Sequence, residues 1–314
     1  MSTPTRTTFR ASSLALLGLL AACQNTAEPT LEPDPAPEYV PAPVARADAE
    51  HYALELTLDP LGRSLAGTLD LTFAALGGDL STVVLDLQGL RAFQVTDAVG
   101  RELAYFQKDG QLSIVLAESL PAGAATELSI RYGGSPKKGL WFVRERDGIA
   151  TQVFTQGECE DSSWWFPCIE DPSDRATSEL TVTMPASWTA VAAGERVDRT
   201  ESGASATEHW RMTFPHPAYL TTLVAGDLTV VEDEWDGVPL SYIAAPEYAG
   251  ELEATFGETP RMLEFFSDLT GIRYPYAKYS TAAVDGFPFG GMENISATTV
   301  TDAVMRGERG QRDR

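Results

Sequence analysis

The sequence predicts a mainly β N-terminal domain of saddle or sandwich type, followed by an incomplete α+β segment. Two observations predict it. Over residues 51–231, apolar and polar side chains alternate with period two, turn signals separate the runs, and no helix-period stretch interrupts them. After Asp236-Gly237 the period changes: residues 251–269 carry Leu252, Phe256, Met262, Leu263, Phe265, Phe266 and Leu269, mostly at helical spacing. A chain of 314 residues, 43% of them hydrophobic, has room for about two domains with real cores.

The first 22 residues read as a signal peptide. Arg6 and Arg10 supply the basic start, and the apolar run over 14–22 is too short to span a bilayer. Leu20-Ala21-Ala22-Cys23 resembles a bacterial lipobox, so Cys23 is expected to be lipidated and to anchor the protein to a membrane. Gln24 fits sorting to the outer membrane, facing the periplasm. Residues 23–49 follow as a tether, extended by Pro29, Pro33, Pro35, Pro37, Pro41 and Pro43. The net charge of −22, spread along the chain, excludes a nucleic-acid partner, which requires clustered Lys and Arg.

Strands are expected at 54–58, 65–73, 82–87, 112–116, 128–132, 149–154, 179–184, 208–214 and 220–230, pairing antiparallel within a domain at 50–234. Turn signals such as Asp59-Pro60-Leu61-Gly62 and Lys108-Asp109-Gly110 separate them. In the second part, 235–314, Pro260 implies a kinked helix, or two helices with Thr259 as a cap and Gly271 as the stop. Strands at 279–284 and 295–300 flank a glycine motif, and the polar stretch 306–314 completes no core. Cys159 and Cys168 can pair in an oxidising compartment, but Cys168 lies in an apolar stretch where a buried thiol is as reasonable.

The chemistry concentrates in Gly290-Gly291-Met292-Glu293-Asn294. Two glycines let another backbone approach closely, and the next carboxylate then stands beside whatever has docked. Upstream, Thr155-Gln156-Gly157-Glu158 leaves a strand and leads into Phe166-Pro167-Cys168-Ile169-Glu170-Asp171-Pro172.

The first run resembles the G-[AG]-M-E-N exopeptidase motif of the zinc aminopeptidases related to aminopeptidase N and to the leukotriene epoxide hydrolases. The upstream segments are similar to that family's T-Q-x-E and F-P-C-x-D-x-P stretches. The resemblance covers residues 51–305 and implies a β-saddle domain joined to the start of a thermolysin-like catalytic domain. It also implies a substrate-binding set: Gln156, Glu158, Gly290, Gly291, Met292, Glu293 and Asn294. In it, Glu158 and Glu293 converge on a peptide's free α-ammonium, Gln156 adds a hydrogen bond, and Met292 forms a wall. Charge-assisted bonds to a primary ammonium suit two facing carboxylates, which repel each other when no cation is present.

One part of the family pattern is missing. Its zinc sits on H-E-x-x-H plus a distant Glu, with a Tyr further on. This chain has His51, His209 and His216, none at that spacing. The resemblance therefore implies zinc for the complete enzyme, while metal ligands, general base and catalytic Tyr are expected after Arg314. The 314-residue chain should be inactive alone. Alternatives are a surface-tethered lipoprotein that binds peptides without cutting them, and a fragment from the epoxide hydrolase branch.

Overall fold

The alternation resolves into four sheets in a computed structural model that describes residues 47–305. The expected signal peptide, Cys23 and most of the tether lie outside the described residues. The tether ends sooner than expected, because β1 (Ala47–Asp59) starts at Ala47 and buries both Ala47 and Ala49.

Strands then follow in close succession: β2 (Ser64–Ala75), β3 (Leu80–Asp86), β4 (Arg91–Asp97), β5 (Tyr105–Lys108), β6 (Gln111–Leu120) and β7 (Ala125–Gly134). After them come β8 (Leu140–Arg146), β9 (Ile149–Thr155), β10 (Ala176–Pro185), β11 (Thr189–Ala192), β12 (Glu195–Ser202), β13 (Ser205–His216) and β14 (Leu223–Gly226). The largest sheet has the order β12-β13-β10-β1-β2-β7-β4, a second is β3-β6-β5, and a third is β11-β14-β9-β8. Pairing is antiparallel except where β1 runs parallel to β10, with Leu54 opposite Leu180. The long excursion between these strands, which builds the second sheet and supplies β8 and β9 of the third, makes a parallel return possible.

One continuous core joins the three sheets. It takes Leu54, Leu69, Leu71 and Phe73 from the large sheet, Val83, Leu85 and Leu112 from the second, and Leu140, Val153 and Leu223 from the third. The third sheet is covered on its other face as well. There Phe154, Val191 and Val224 pack with Ile243, Ala282, Val284, Phe287, Met292 and Ala297. Burial on both faces explains why every residue of β14 is buried and why no alternation marks it.

The expected strand at 220–230 is for this reason not one strand. A 3-10 turn at Ala218–Leu220 and β14 are followed by β15 (Thr229–Trp235), which belongs to a different sheet. β15 pairs with β16 (Val238–Ala244) across Asp236 and Gly237, whose φ values of 47° and 76° form the hairpin turn. The expected divide at 234/235 thus falls inside a hairpin. Next come α1 (Leu252–Phe256) and α2 (Thr259–Thr270), with Pro260 in the first turn of α2 and Gly271 closing it at φ 70°. Glu258, not Thr259, is the N-cap; Thr259 Oγ1 instead donates to Phe256 O at 2.6 Å and stitches the two helices. With β17 (Tyr279–Val284), β18 (Gly291–Met292) and β19 (Ala297–Thr301), the fourth sheet has the order β15-β16-β17-β19-β18.

Candidate functional site

β9 builds the site by its alternation. Gln152, Phe154 and Gln156 succeed one another at spacing two, and each meets the segment between β17 and β19. Gln152 Oε1 accepts from the Asp285 amide at 3.0 Å. The Phe154 ring stands edge-on to Phe287 with centroids 5.4 Å apart. Gln156 Nε2 contacts Met292 Sδ at 3.7 Å. The two motif segments, 136 residues apart, are therefore in direct contact.

Gln156 is 2% exposed, and its Oε1 has no hydrogen-bond partner among the described residues. A buried acceptor left unpaired costs about 1–3 kcal/mol, so such an atom calls for a ligand or a water. The next residue explains how the chain leaves β9. A Cβ on Gly157 would lie 2.5 Å from Tyr219 O and 2.6 Å from Ser162 Oγ, so only glycine fits. Asp161 N then bonds to Gly157 O at 2.9 Å, closing a turn on which Glu158 and Cys159 are exposed. Cys159 and the buried Cys168 are free thiols, so the possible pairing is not made.

On the other side, Gly291 and Met292 pair with Val300 and Thr299, making β18 the edge of the fourth sheet. A Cβ on Gly290 would meet nothing within 4 Å, whereas one on Gly291 would lie 3.2 Å from Val300 Cγ1. Met292 is buried, Glu293 is exposed, and Asn294 is buried with its Nδ2 donating to Thr299 Oγ1 at 3.2 Å. The structure thus brings Gln156 to Met292 and leaves Glu158 and Glu293 exposed to solvent.

Several residues here carry no motif signal. Gln152 was detectable only as the partner of Gln156 in the β9 alternation. Gly194 N donates to Ser296 Oγ at 2.8 Å, and Lys278 Nζ donates to Ser296 O at 2.9 Å. Both clamp the turn after Asn294, and neither stands out in the sequence.

The histidines do not fit a zinc site. His51 Nδ1 bonds Thr177 Oγ1 at 2.7 Å, and His209 Nε2 bonds Glu179 Oε2 at 2.6 Å. His216 donates from Nδ1 to Phe214 O at 2.9 Å, while its Nε2 faces the hydroxyls of Ser178 and Thr221. Burial pushes His216 below the usual histidine range and keeps it neutral. Among the described residues, no three His, Cys, Asp or Glu side chains are arranged to hold a metal ion.

The two motif segments thus supply a sheet edge bearing Gly290 and Gly291, two exposed carboxylates and an unpaired buried amide oxygen. Residues 48–220 match the peptidase M1 N-terminal domain, and residues 254–312 match the peptidase family M1 domain. The first match spans more than half the chain, which therefore belongs to the M1 family of metallopeptidases. Leukotriene A-4 hydrolase of Xenopus laevis is 29% identical over 83% of this chain and 44% of its own length. Aminopeptidase N of Acetobacter pasteurianus is 31% identical over 76% of this chain and 66% of its own. The M1 zinc metallopeptidase from Deinococcus radiodurans superposes with a TM-score of 0.71 at 30% identity, covering 84% of this chain and 62% of that one. A mutant of that enzyme bound to a Tyr-Ser-Ala substrate gives 0.72 at 29% identity. This chain spans from under half to about two thirds of the length of these relatives.

Proposed function

We propose that this chain supplies the amino-end recognition part of an M1-type zinc aminopeptidase, gripping peptides by their free N-terminus. The observation that carries the reading is the contact of Gln156 with Met292, which joins the two motif segments while the buried Gln156 Oε1 stays unpaired. A primary ammonium brings three N–H donors and a full charge, which suits that acceptor together with Glu158 and Glu293. Gly290 and Gly291 give the peptide backbone an open sheet edge to join as an added strand. Met292 walls the first side-chain position, and the Asn294–Thr299 bond fixes the turn beyond Glu293. An acetylated or internal peptide brings no cation and leaves these acceptors unsatisfied.

Hydrolysis is not assigned to the described residues, because their histidines are committed elsewhere. Zinc, general base and catalytic Tyr belong on this reading to other parts of the complete enzyme, and the 314-residue chain alone is inactive. Lipidated Cys23 would hold the protein at the bacterial envelope, probed by whether Cys23→Ser releases it from membranes. A purely peptide-binding lipoprotein is the weaker alternative, since α2 presents Phe265 and Phe266 at 59% and 57% exposure. The leukotriene A-4 hydrolase relative keeps the epoxide hydrolase branch as a second reading.

Calorimetric titration of variants tests the carboxylates. Glu158→Gln and Glu293→Gln should each weaken an unblocked tripeptide by roughly 10–100-fold, the worth of a charge-assisted bond of about 1.5–3 kcal/mol. They should leave the N-acetylated form unaffected. Equal losses for both peptides contradict the assignment.

A further inference from the structure

We propose that Lys278 is a positioning residue for the amino-end site, its side chain clamping the Ser296 carbonyl and thereby fixing the turn that carries Glu293 and Asn294. The role in binding rests on the amino-end reading; the clamp itself does not. Lys278 lies before β17, and it is one of few lysines in the chain, with Lys108, Lys137 and Lys138. It is only 9% exposed, yet it forms no salt bridge among the described residues; its Nζ donates to Ser296 O at 2.9 Å and lies 5.4 Å from the centroid of the Trp210 ring.

Ser296 is the residue that needs holding. Its φ of 59° is left-handed, a conformation a serine adopts only when its surroundings impose it. Two donors converge on its carbonyl, Lys278 Nζ at 2.9 Å and Ser280 N at 3.0 Å. Its hydroxyl accepts from Gly194 N at 2.8 Å, anchoring the turn to the connection between β11 and β12. Ile295, buried against Ala193 and Met212, packs the same corner. This turn follows Glu293 directly, so the carboxylate's position depends on how firmly Ser296 is held.

A structural filler would not need an amine. Burial without a carboxylate partner brings Lys278 down to about 7, so the position tolerates a costly group where methionine would fit more cheaply. Lys278 also lines a cleft of about 540 Å³ whose other charged walls are Glu195 and Arg196 of β12 and Glu232, Asp233 and Glu234 of β15.

The test uses the full chain, unmodified and as two variants. Lys278→Met should leave global unfolding unchanged or raise it, while amide hydrogen exchange at residues 293–297 speeds up at least ten-fold. The variant should also lose affinity for an unblocked tripeptide, and Lys278→Arg should recover part of both. Unchanged exchange at 293–297, or loosening spread evenly over the fourth sheet, overturns the clamp. Reductive methylation of the unmodified chain provides a test free of folding effects. Although its lowered pKa leaves the amine mostly neutral, Lys278 should react far more slowly than the exposed Lys108, Lys137 and Lys138, because it is buried and bonded to Ser296 O, and an equal rate also overturns the clamp. If exchange responds as expected but the wild-type chain does not prefer an unblocked over an acetylated peptide, the clamp stands and the amino-end reading fails.

Discussion

At the scale of single residues, buried carboxylates give this protein a pH dependence separate from its site. Desolvation is the main cause that pushes Glu170 up to about 7; the nearby charge of Asp86 adds to it, and hydrogen bonds from Ser163 oppose it. The folded state then holds a proton that the unfolded chain releases near the usual carboxylate value. Stability from this group is fully present below about pH 4.5, falls as pH rises, and is lost above about pH 7. Glu170→Gln keeps the acceptor for Ser163 N and removes the titration. It should stabilise the protein by about 1–2 kcal/mol at pH 8, after allowance for partial exposure, and be near neutral at pH 4.5. Denaturant unfolding at both values checks this, and an equal effect at the two would contradict it. The sequence announced Glu170 only as part of a motif. Its perturbed proton comes mainly from burial, with the charge of Asp86, 84 positions away, adding to it, and no local pattern reveals either.

At the scale of elements, the site depends on glycines of two kinds. Gly157 has no room for a Cβ, whereas Gly290 has open space. Gly157→Ala should destabilise the fold by about 1–3 kcal/mol through overpacking against Tyr219. Gly290→Ala should stay within about 0.5 kcal/mol of the original in a thermal melt while weakening peptide binding. A Gly290 variant that melts early but binds normally would make that glycine structural. Strand legibility follows the same local physics. β1, β2 and β10 each bury one face cleanly and were readable from alternation. β11 and β14 are covered on both faces and carry little alternation, and β12 is a polar edge strand with almost nothing buried. β18 is two residues long, so only its motif marked it.

At the scale of the whole molecule, the layered plan was legible but its joins were not. The period change near Asp236 marked where α+β character begins, yet the fourth sheet starts earlier, at Thr229, because β15 pairs forward. The parallel β1–β10 pairing was hidden for a different reason: it joins strands more than a hundred residues apart. Two site segments could be named from their motifs and Gln152 from the β9 alternation, while Ser296 and Lys278, which hold them, became visible only when the sheets stacked. The outer face of α2 remains apolar, with Met262 and Leu269 exposed beside Phe265 and Phe266. Phe265→Ser with Phe266→Ser should raise solubility without lowering the melting temperature, as light scattering and calorimetry would record. Equilibrium dialysis should find less than one tightly held zinc per chain, since all the histidines are engaged in other bonds. A full equivalent would overturn that assignment.

Recognition of a free amino end is the property proposed for this chain, and one titration decides it. An unblocked tripeptide and its N-acetylated counterpart are titrated into the same 314-residue protein at pH 7. The proposed amino-end role implies binding of the unblocked peptide at least ten-fold tighter, because only that peptide carries a cation for Gln156, Glu158 and Glu293. Equal affinity for the two, or binding of neither, would contradict it.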